Sequence, residues 1–547
     1  MDKRLKDPIY GYIGVPEEIV NGIIDKPAFQ RLRDVVQTSY APLYASAVHN
    51  RFVHSLGVYY LGKMVSDAFC KEIENKKIVF RNKDAHLKAF VIACLLHDVG
   101  HAPFSHTGEI YYLRQGLRNE LHTILCGLVG DKSFLKEIND NSYKAAPHEI
   151  MSAIIGIKYY GDFIGNREKS FFARCITGYK YTDGLNTEKS LLNILIELLN
   201  SSIIDVDKLD YLIRDAYMIG FDTVSIDYSR LLKSIAVVKS SDNEYCLGYY
   251  KSAVSVIENV VYAHDSERKW IQTHPSVLYE ISLIQSGIRE IINGFPQLVI
   301  PLEALTNDGV EIKLKGSERY RVCYLSDADM LSLFKSSINE SFISEYIDRS
   351  LRRHPLWKSE AEFRAIFSDH SDAISIIIEE IEQIKKAIMT LGLGSECEIN
   401  DETAKAINDE HERFLKIKKE PDDCSFAISE AKYKRHLGFI DCFMDYSKQQ
   451  GIEASFLIID ASQFRSGFNK KELENIKIIF PEMREPCSFG KITNVLKSES
   501  TNSEKFFYVF CKKKQEMSIA SLVKSLIGFA MNVNSSEREI RINKLVR

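Results

Sequence analysis

The segment Leu95–His101, LLHDVGH, constrains the fold of this chain more than any other. Apolar residues lead into it at helical spacing, at positions Leu87, Phe90, Val91, Cys94 and Leu95. This spacing predicts a helix with one buried face. An isolated carboxylate at its end is costly to bury. A divalent cation removes that cost, since histidine nitrogen and aspartate oxygen bind Zn, Mn, Fe or Ni, and aspartate also suits Mg. We therefore expect His97 and Asp98 to bind a metal ion; the alternative is a helix end capped by Asp98.

The 547 residues exceed one ordinary core, so we expect two or three lobes. The predicted fold class is mostly α. We expect a helical core over 1–300 with a small β-hairpin near 235–249. A helical extension with a charged linker follows over 301–440, and a smaller mixed α/β lobe over 441–547. The charged stretch 394–424 is either a solvated helix or a mobile linker. Strand-like runs at 454–460, 476–480 and 506–511 define the last lobe, with a helix over 518–531.

The bulk properties exclude several classes of protein. A net charge of −4 gives no overall polycation, so nucleic acid is not an expected partner. The eleven cysteines contain no C-x-x-C pair, which argues against a disulfide scaffold and a cysteine zinc site. The N-terminal residues lack an apolar signal core, and no run of about eighteen apolar residues occurs. We therefore expect a cytoplasmic protein without a membrane span.

Two further strings accompany the one that contains the His-Asp pair. RFVHSLGV begins at Arg51, LLHDVGHAPFSH begins at Leu95, and DVDKLDYLIRD begins at Asp205. Together with DPIYGYI from Asp7, DKPAFQRLR from Asp25 and HEIMS from His148, they resemble the SAM-and-HD-domain deoxynucleotide triphosphohydrolases, within the HD superfamily of metal phosphohydrolases. The resemblance covers roughly residues 5 to 275. Because it begins near residue 5, we expect the family's SAM module to be absent.

The resemblance implies a metal centre and a catalytic layer beside it. The expected ligands are His54, His97, Asp98 and Asp207, which leave positions open for water and substrate; for His54 alone, the alternative is a hydrogen-bonded core histidine. The expected catalytic residues are His101, His106, Glu109 and His148, with His106 as the acid and His148 in support. Glu109 stands where the family more often has aspartate, and each of these histidines has the alternative of capping a loop.

A substrate pocket follows from the same strings. Asp207, Tyr211 and Asp215 are spaced i, i+4, i+8 and so share one helical stripe, the alternative being a charged face in solvent. By resemblance, the substrate-binding residues are Gln37, Arg51, Lys208, Tyr211, Asp215 and Gln272. Thr38 replaces a leucine usual in the animal enzymes, so sugar selectivity is an open question. Ala263 occupies the place of an expected arginine, and no base preference is predicted.

Two activator sites are also implied. Asp25, Gln30 and Arg33 match residues that bind a guanine nucleotide in the animal members, and Arg230 and Lys251 fall at a second nucleotide position. The alternative for AFQRLR is an amphipathic packing helix. Such sites lie between subunits, so a dimer or tetramer is expected.

The expected reaction converts a deoxynucleoside triphosphate (dNTP) and water to deoxynucleoside and triphosphate, with antiphage defence by analogy alone. The alternatives are an HD-type nuclease, a cyclic-nucleotide phosphodiesterase and a nucleotide sensor.

Overall fold

The structure is a computed structural model, and it describes residues 2–39, 41–109, 116–140, 144–201, 203–221, 225–241, 244–298, 302–313, 319–337, 341–394, 396–417, 430–462, 470–493, 505–513 and 517–545. Helices dominate this part of the chain, as predicted. They are α1 (Glu17–Ile19), α2 (Pro27–Gln30), α3 (Arg51–Asn75), α4 (Lys83–Leu96), α5 (Ser105–Gly108), α6 (Leu117–Val129), α7 (Lys132–Asp140), α8 (Pro147–Ile164), α9 (Lys169–Thr177), α10 (Thr187–Leu199), α11 (Val206–Ile219), α12 (Tyr228–Lys233), α13 (Val254–Glu267), α14 (Pro275–Gly294), α15 (Asp327–Ser336), α16 (Ser341–Ile347), α17 (Glu360–Phe367), α18 (Ser371–Thr390), α19 (Asp401–Ile417), α20 (Glu430–Gln450), α21 (Lys470–Asn475), α22 (Phe489–Ile492) and α23 (Ala520–Leu545).

The strands form small sheets. They are β1 (Asp2–Asp7), β2 (Gly11–Pro16), β3 (Ile235–Ser241), β4 (Glu244–Tyr250), β5 (Val310–Lys313), β6 (Arg319–Val322), β7 (His354–Pro355), β8 (Cys397–Asn400), β9 (Ser455–Ser462), β10 (Lys477–Ile479), β11 (Cys487–Ser488) and β12 (Lys505–Cys511). Two sheets have four strands, in the orders β11-β10-β4-β3 and β7-β12-β9-β8, while β1-β2 and β5-β6 are antiparallel pairs. No helix in the described ranges is long and apolar enough to cross a bilayer.

The chain divides into two compact units. The first unit comprises 1–271, 288–337 and 466–498, and the second comprises 272–287, 338–465 and 499–547. Each unit therefore contains segments that are far apart in the sequence. The predicted division in chain order, into residues 1–300, 301–440 and 441–547, does not include such an arrangement. That three-domain division stays a prediction.

The core of the first unit packs α3 against α4, α11 and β3, and α8 against α4, α6 and α9. Asn50 begins α3 by accepting a hydrogen bond from the backbone N–H of Val53 at 3.2 Å. Gly62 lets α3 approach α4, because a Cβ there would lie 2.6 Å from Cys94 Sγ. The predicted hairpin is β3 and β4, and the predicted helix before His97 is α4. The ends of these helices carry the residues of the candidate site.

The predicted strand at 476–480 is β10, and β4 is one of its partner strands. β10 lies parallel to β4, with Lys477 opposite Gly248, whereas β9 and β12 pair with each other in the second unit. A Cβ on Gly248 would lie 3.0 Å from the Lys477 carbonyl oxygen, so glycine permits this pairing. The three strand-like runs therefore lie in two different sheets.

The second unit packs α18 and β8 with β9 and β12 around Trp357, whose indole N–H donates to the Phe507 carbonyl oxygen at 2.7 Å. The charged stretch 394–424 begins as β8 and continues as α19, which buries Ile407; residues 418–429 lie outside the described part. The terminal helix predicted over 518–531 is α23.

Candidate metal centre and active site

Three helix ends supply the expected metal ligands. His54 lies in the first turn of α3, and His97 and Asp98 directly follow α4. Asp207 lies in the first turn of α11, which Asp205 begins by accepting from the Lys208 backbone N–H at 2.7 Å. A side chain at a helix end has a direction that the helix fixes, and the space between neighbouring helix ends can stay open for a ligand. The fold therefore brings four expected ligands, from segments that are distant in the sequence, close together in space.

Both histidines lie within contact distance of the two carboxylates and of each other. His54 Nε2 is 3.2 Å from His97 Nε2, 3.0 Å from Asp207 Oδ1 and 3.5 Å from Asp98 Oδ2. His97 Nε2 is 3.5 Å from both Asp98 Oδ1 and Asp207 Oδ1. Ligands at about 2.0–2.2 Å from one cation stand about 3.0–3.5 Å from each other. These spacings therefore suit a single divalent ion. Asp207, 35% exposed, leaves the centre open on one side.

Hydrogen bonds behind the two histidines direct their Nε2 atoms toward the centre. His54 Nδ1 donates to Asp210 Oδ2 at 2.7 Å, and His97 Nδ1 donates to the Cys94 carbonyl oxygen at 3.0 Å. With the Nδ1 atoms protonated, each Nε2 carries a lone pair available to a metal. Arg214 holds Asp210 through Nε at 2.8 Å and Nη2 at 3.0 Å.

The charges at the centre favour a cation. Burial opposes ionisation of Asp98, but Arg51, 2.7 Å away, and the neighbouring histidines hold the pKa of Asp98 well below its usual value. Burial also opposes protonation of His54, yet its hydrogen bonds to Asp207 and Asp210 raise its pKa to about 9. Ionised carboxylates thus surround two histidine nitrogens. The donor set fits a divalent metal ion of the type expected, and it does not decide among Mn, Fe, Zn, Ni and Mg.

A second cluster adjoins the first. Glu109 accepts from His148 Nδ1 at 2.7 Å and from His106 Nδ1 at 3.0 Å. The His101 ring stacks on the His148 ring at 4.0 Å, and His101 Nε2 lies 3.1 Å from Asp98 Oδ1. The two clusters therefore meet at Asp98. The longer arm of Glu109, compared with aspartate, reaches both histidines.

The titration of this second cluster follows from its contacts. Burial opposes ionisation of Glu109, but its bonds to His106 and His148 hold its pKa well below the usual value. Burial opposes protonation of His148, but Glu109 outweighs it and raises the pKa of His148. Burial, together with the charges of Arg51 and His148, lowers the pKa of His101 well below its usual value. Burial lowers the pKa of His106 although its hydrogen bond to Glu109 raises it. Glu109 therefore outweighs burial at His148 and does not outweigh it at His106.

The structure places the expected substrate residues as follows. Arg51 donates from Nη1 to Asp98 and from Nε to Ser105 Oγ at 2.9 Å, so it borders the metal centre. Gln37 is buried on the segment that pairs with the residues before α3, its backbone N–H donating to the His49 carbonyl oxygen at 3.0 Å. Gln272 belongs to the second unit.

Asp207, Tyr211 and Asp215 lie on α11 as expected, but the alternative of a charged face in solvent is wrong. Asp215 is only 2% exposed, and its Oδ1 lies 2.6 Å from His49 Nε2. Lys208 donates to Asp205 Oδ2 at 2.7 Å and to the Ser201 carbonyl oxygen at 2.8 Å. Both charged residues are therefore held by partners within the first unit.

The expected activator residues lie at the surface. Arg33 Nε donates to Gln30 Oε1 at 2.8 Å, and its guanidinium stacks 3.6 Å above the Phe52 ring. Asp25 is 55% exposed. Arg230 donates to Ser255 Oγ at 3.2 Å, and Lys251 pairs with Glu482 at 2.8 Å, both in exposed positions. The first three residues form one surface cluster; the last two lie on other elements.

Sequence reasoning missed Asp210 and His49. Asp210 orients His54 from 156 residues away, and His49 contacts Asp215 across 166 residues. The spacing Asp207-x-x-Asp210-x-x-x-Arg214 is a signal for Asp210, since i+3 and i+4 place all three near one helical face. No local pattern indicates the partner of His49.

Comparison with known proteins agrees with this geometry. Residues 51–142 match the model of the HD domain family, and the matched segment includes His54, the His97-Asp98 pair, His101, His106 and Glu109. Residues 51–142 of the chain therefore resemble an HD domain.

Relatives extend the likeness beyond that domain. Over 246 residues, 42% of this chain, it is 34% identical to the deoxynucleoside triphosphate triphosphohydrolase SAMHD1 of Bos taurus, covering 38% of that protein. Over 250 residues, 44% of this chain, it is 31% identical to the Gallus gallus protein of the same name, again covering 38%. An uncharacterized protein of Methanocaldococcus jannaschii is 26% identical over 344 residues, 62% of this chain and 60% of that protein.

The chain spans less than two thirds of the length of these relatives. The crystal structure of a hypothetical protein from Aquifex aeolicus superposes with a TM-score of 0.53 at 18% identity, covering 96% of this chain and all of that one. This likeness shows the fold. The chain thus resembles SAMHD1 and, over residues 51–142, the HD domain family, which confirms the resemblance inferred from its sequence strings.

Proposed function

We propose that this chain is a metal-dependent phosphohydrolase that converts a dNTP and water to a deoxynucleoside and triphosphate. The observation that carries the proposal is the junction at Asp98, which borders His54 and His97 on one side and His101 on the other. Phosphate-ester hydrolysis needs charge stabilisation and proton delivery at adjacent points. The similarity to the triphosphohydrolases of Bos taurus and Gallus gallus supports the choice of substrate.

The metal-binding residues in this proposal are His54, His97, Asp98 and Asp207. When bound there, a divalent ion supplies charge neutralisation on phosphate oxygens and lowers the pKa of water. Arg51 adds a fixed positive charge beside Asp98, and Lys208 adds a second near the start of α11.

His106 is the proposed proton donor to the leaving 5′-oxygen. Its Nδ1 is engaged by Glu109, while its side chain is 64% exposed. This arrangement leaves Nε2, on the far side of the ring, as the atom that gives or takes a proton. Glu109 stabilises the protonated ring, and His148 shares the same carboxylate.

The proposed sugar contacts are Tyr211, Asp215 and Gln37. In this arrangement Asp215 accepts from the 3′-hydroxyl, with His49 fixing its orientation, and the Tyr211 ring packs against C2′.

The decisive experiment incubates the purified protein with each dNTP and NTP and either Mn²⁺ or Mg²⁺, and identifies products by mass. Free triphosphate with deoxynucleoside is expected. Pyrophosphate with a nucleoside monophosphate, a cut oligonucleotide or an opened cyclic nucleotide would refute the proposal in favour of nuclease or phosphodiesterase activity. Binding without turnover of any nucleotide would favour a sensor.

A variant pair tests the ligand set. Asp207→Ala removes a ligand from the open side of the centre, so turnover is expected to disappear while the far-UV circular dichroism stays unchanged. Asp183→Ala is the control, because Asp183 is a half-exposed partner of Lys136 at 3.4 Å. Full activity of Asp207→Ala would remove Asp207 from the ligands.

We also propose nucleotide activation with assembly into a dimer or tetramer, through Asp25, Gln30 and Arg33 and a second site at Arg230 and Lys251. Arg33→Ala is expected to lower oligomer mass and rate together at limiting nucleotide, with Arg413→Ala, an exposed arginine of the second unit, as control. Unchanged mass and rate would refute this.

A role in antiphage defence, by dNTP depletion in the cytoplasm, is tested by plaque counts on cells expressing the native chain or Asp207→Ala. Equal plaque counts would exclude it.

A further inference from the structure

The segment Leu325–Asp327, at the start of α15, contacts the active-site turn although it lies far beyond the matched HD residues. Asp327 Oδ1 accepts from the Phe104 backbone N–H at 2.6 Å, across 223 residues, and its Oδ2 accepts from the Val36 N–H at 2.9 Å. Asp327 is 5% exposed. One buried carboxylate therefore joins two backbone segments, one leading into Gln37 and the other into His106.

The turn that Asp327 holds is strained. Phe104 has φ 59° and Ser105 has φ 50°, two consecutive non-glycine residues in the left-handed region. Such conformations persist only where surrounding contacts hold them. This pair lies between His101 and His106, so its conformation sets the direction from which α5 presents His106 beside Glu109.

The same turn positions Arg51. Ser105 Oγ donates to the Val36 carbonyl oxygen and accepts from Arg51 Nε at 2.9 Å. Arg51 in turn donates to Asp98 at 2.7 Å. Asp327 therefore acts on the metal centre through Ser105 and Arg51 without contacting any metal ligand.

The segment Leu325–Asp327 has a second connection to the active-site turn. The buried Arg31 donates from Nη1 to the Leu325 carbonyl oxygen at 2.9 Å and from Nη2 to the Val99 carbonyl oxygen at 2.9 Å. Val99 immediately follows the ligand Asp98. The start of α15 is thus connected to both ends of the turn that carries Asp98, His101 and His106.

We propose that Asp327 is a positioning residue of the active site, which clamps the Val36 segment to the Phe104–Ser105 turn and so fixes His106 and Arg51. The proposal rests on the proposed function for its effect on catalysis, but its structural part stands independently. It assigns a role in the reaction to a segment more than 180 residues beyond the HD match.

The neighbouring Asp329 provides a matched control. Its Oδ2 accepts from the Ser326 N–H at 2.8 Å and from Ser326 Oγ at 2.9 Å, which closes a capping box on the same helix. Asp329→Asn weakens the helix start, whereas Asp327→Asn also places an amide N–H group against a backbone N–H of the turn. The pair separates loss of helix stability from loss of the clamp.

The test compares the native protein, Asp327→Asn and Asp329→Asn by hydrogen–deuterium exchange resolved to single amides, and by steady-state kinetics with a dNTP and Mn²⁺. In the native protein the Phe104 and Val36 amides are expected to exchange slowly. In Asp327→Asn both should exchange faster, and kcat should fall by about 10- to 100-fold with KM little changed. Asp329→Asn should retain slow exchange at both amides and near-native kcat.

Several results would overturn the proposal. Rapid exchange of the Phe104 and Val36 amides in the native protein would do so whether or not Asp327→Asn folds. Equal effects of the two substitutions on exchange and kcat would show a merely structural role. If the native protein turns over no dNTP but Asp327→Asn alone accelerates exchange at both amides, the clamp stands and the proposed function fails.

Discussion

Gly57 offers a test of the metal centre that alters no ligand. A Cβ at this position of α3 would lie 1.8 Å from Asp210 Oδ1 and 2.5 Å from Arg214 Nη2. Ordinary contacts begin at about 3.5 Å, so in Gly57→Ala the Asp210 carboxylate must move by more than about 1.5 Å. Its hydrogen bond to His54 Nδ1, now 2.7 Å, does not survive such a displacement.

The size of the effect follows from what that bond does. Partners behind a ligating histidine are worth about 10- to 100-fold in metal affinity, which is about 1.4–2.7 kcal/mol. Overpacking costs a further 1–3 kcal/mol or so of folding stability, partly offset by roughly 1 kcal/mol of helix propensity gained by alanine. We therefore expect Gly57→Ala to bind Mn²⁺ about 10- to 100-fold more weakly than the native chain.

The assay is isothermal titration calorimetry of the metal-free protein with Mn²⁺, alongside thermal unfolding. Gly156→Ala is the control, because its Cβ would meet the Phe172 ring at 2.5 Å, away from the ligands. It should lower stability and leave Mn²⁺ affinity unchanged. A folded Gly57→Ala protein with native Mn²⁺ affinity would refute the role assigned to Asp210.

Four other outcomes are expected. Glu109→Gln should lower kcat by about 10²- to 10⁴-fold and, by NMR titration, lower the pKa of His148, because the carboxylate that raises it is gone; an unchanged pKa would contradict the pairing. The pKa of His54 is about 9 in the metal-free protein, so a proton must leave when metal binds. Mn²⁺ affinity should therefore rise with pH up to about 9. Calorimetry in buffers of different ionisation enthalpy should detect the release of about one proton near pH 7.5. The same raised pKa stabilises the metal-free fold below about pH 6.5 and loses that stabilisation as pH rises to about 9, by about 3 kcal/mol; a flat stability profile there would argue against it. Chelation should abolish turnover, and Mn²⁺ at about 100 times its Kd should raise the free energy of unfolding by about 2.7 kcal/mol; unchanged turnover after complete metal removal would exclude a metal-dependent reaction.

Much of the candidate site was predictable because metal chemistry restricts residue type within short strings. His54, His97 and Asp98 stand at helix ends that apolar spacing already indicated, and the structure brings them together with Asp207. Glu109 shows the limit of that reasoning. Its side chain differs from the family's usual aspartate, and only the positions of His106 and His148 show that both carboxylate oxygens are used.

The pairing of β10 with β4 was beyond sequence reasoning for a different reason. A short apolar run such as 476–480 indicates a strand, but its partner strand depends on the path of the chain between the two strands. The helical fold class and the hairpin rest on local periodicity, which a sequence displays directly. The assignment of strands to sheets rests on contacts between distant segments.

By itself, the sequence indicated a candidate metal-binding pair, His97 and Asp98, after a helix, because periodicity and ligand chemistry are local properties; the resemblance of its strings added His54 and Asp207. Tertiary structure alone decided what holds them. Asp210 behind His54, His49 against Asp215 and Asp327 beneath the Phe104 turn act across 156, 166 and 223 residues of chain. A hydrogen bond depends on a separation of about 3 Å in space, and the order of residues along the chain does not encode that separation in any short pattern.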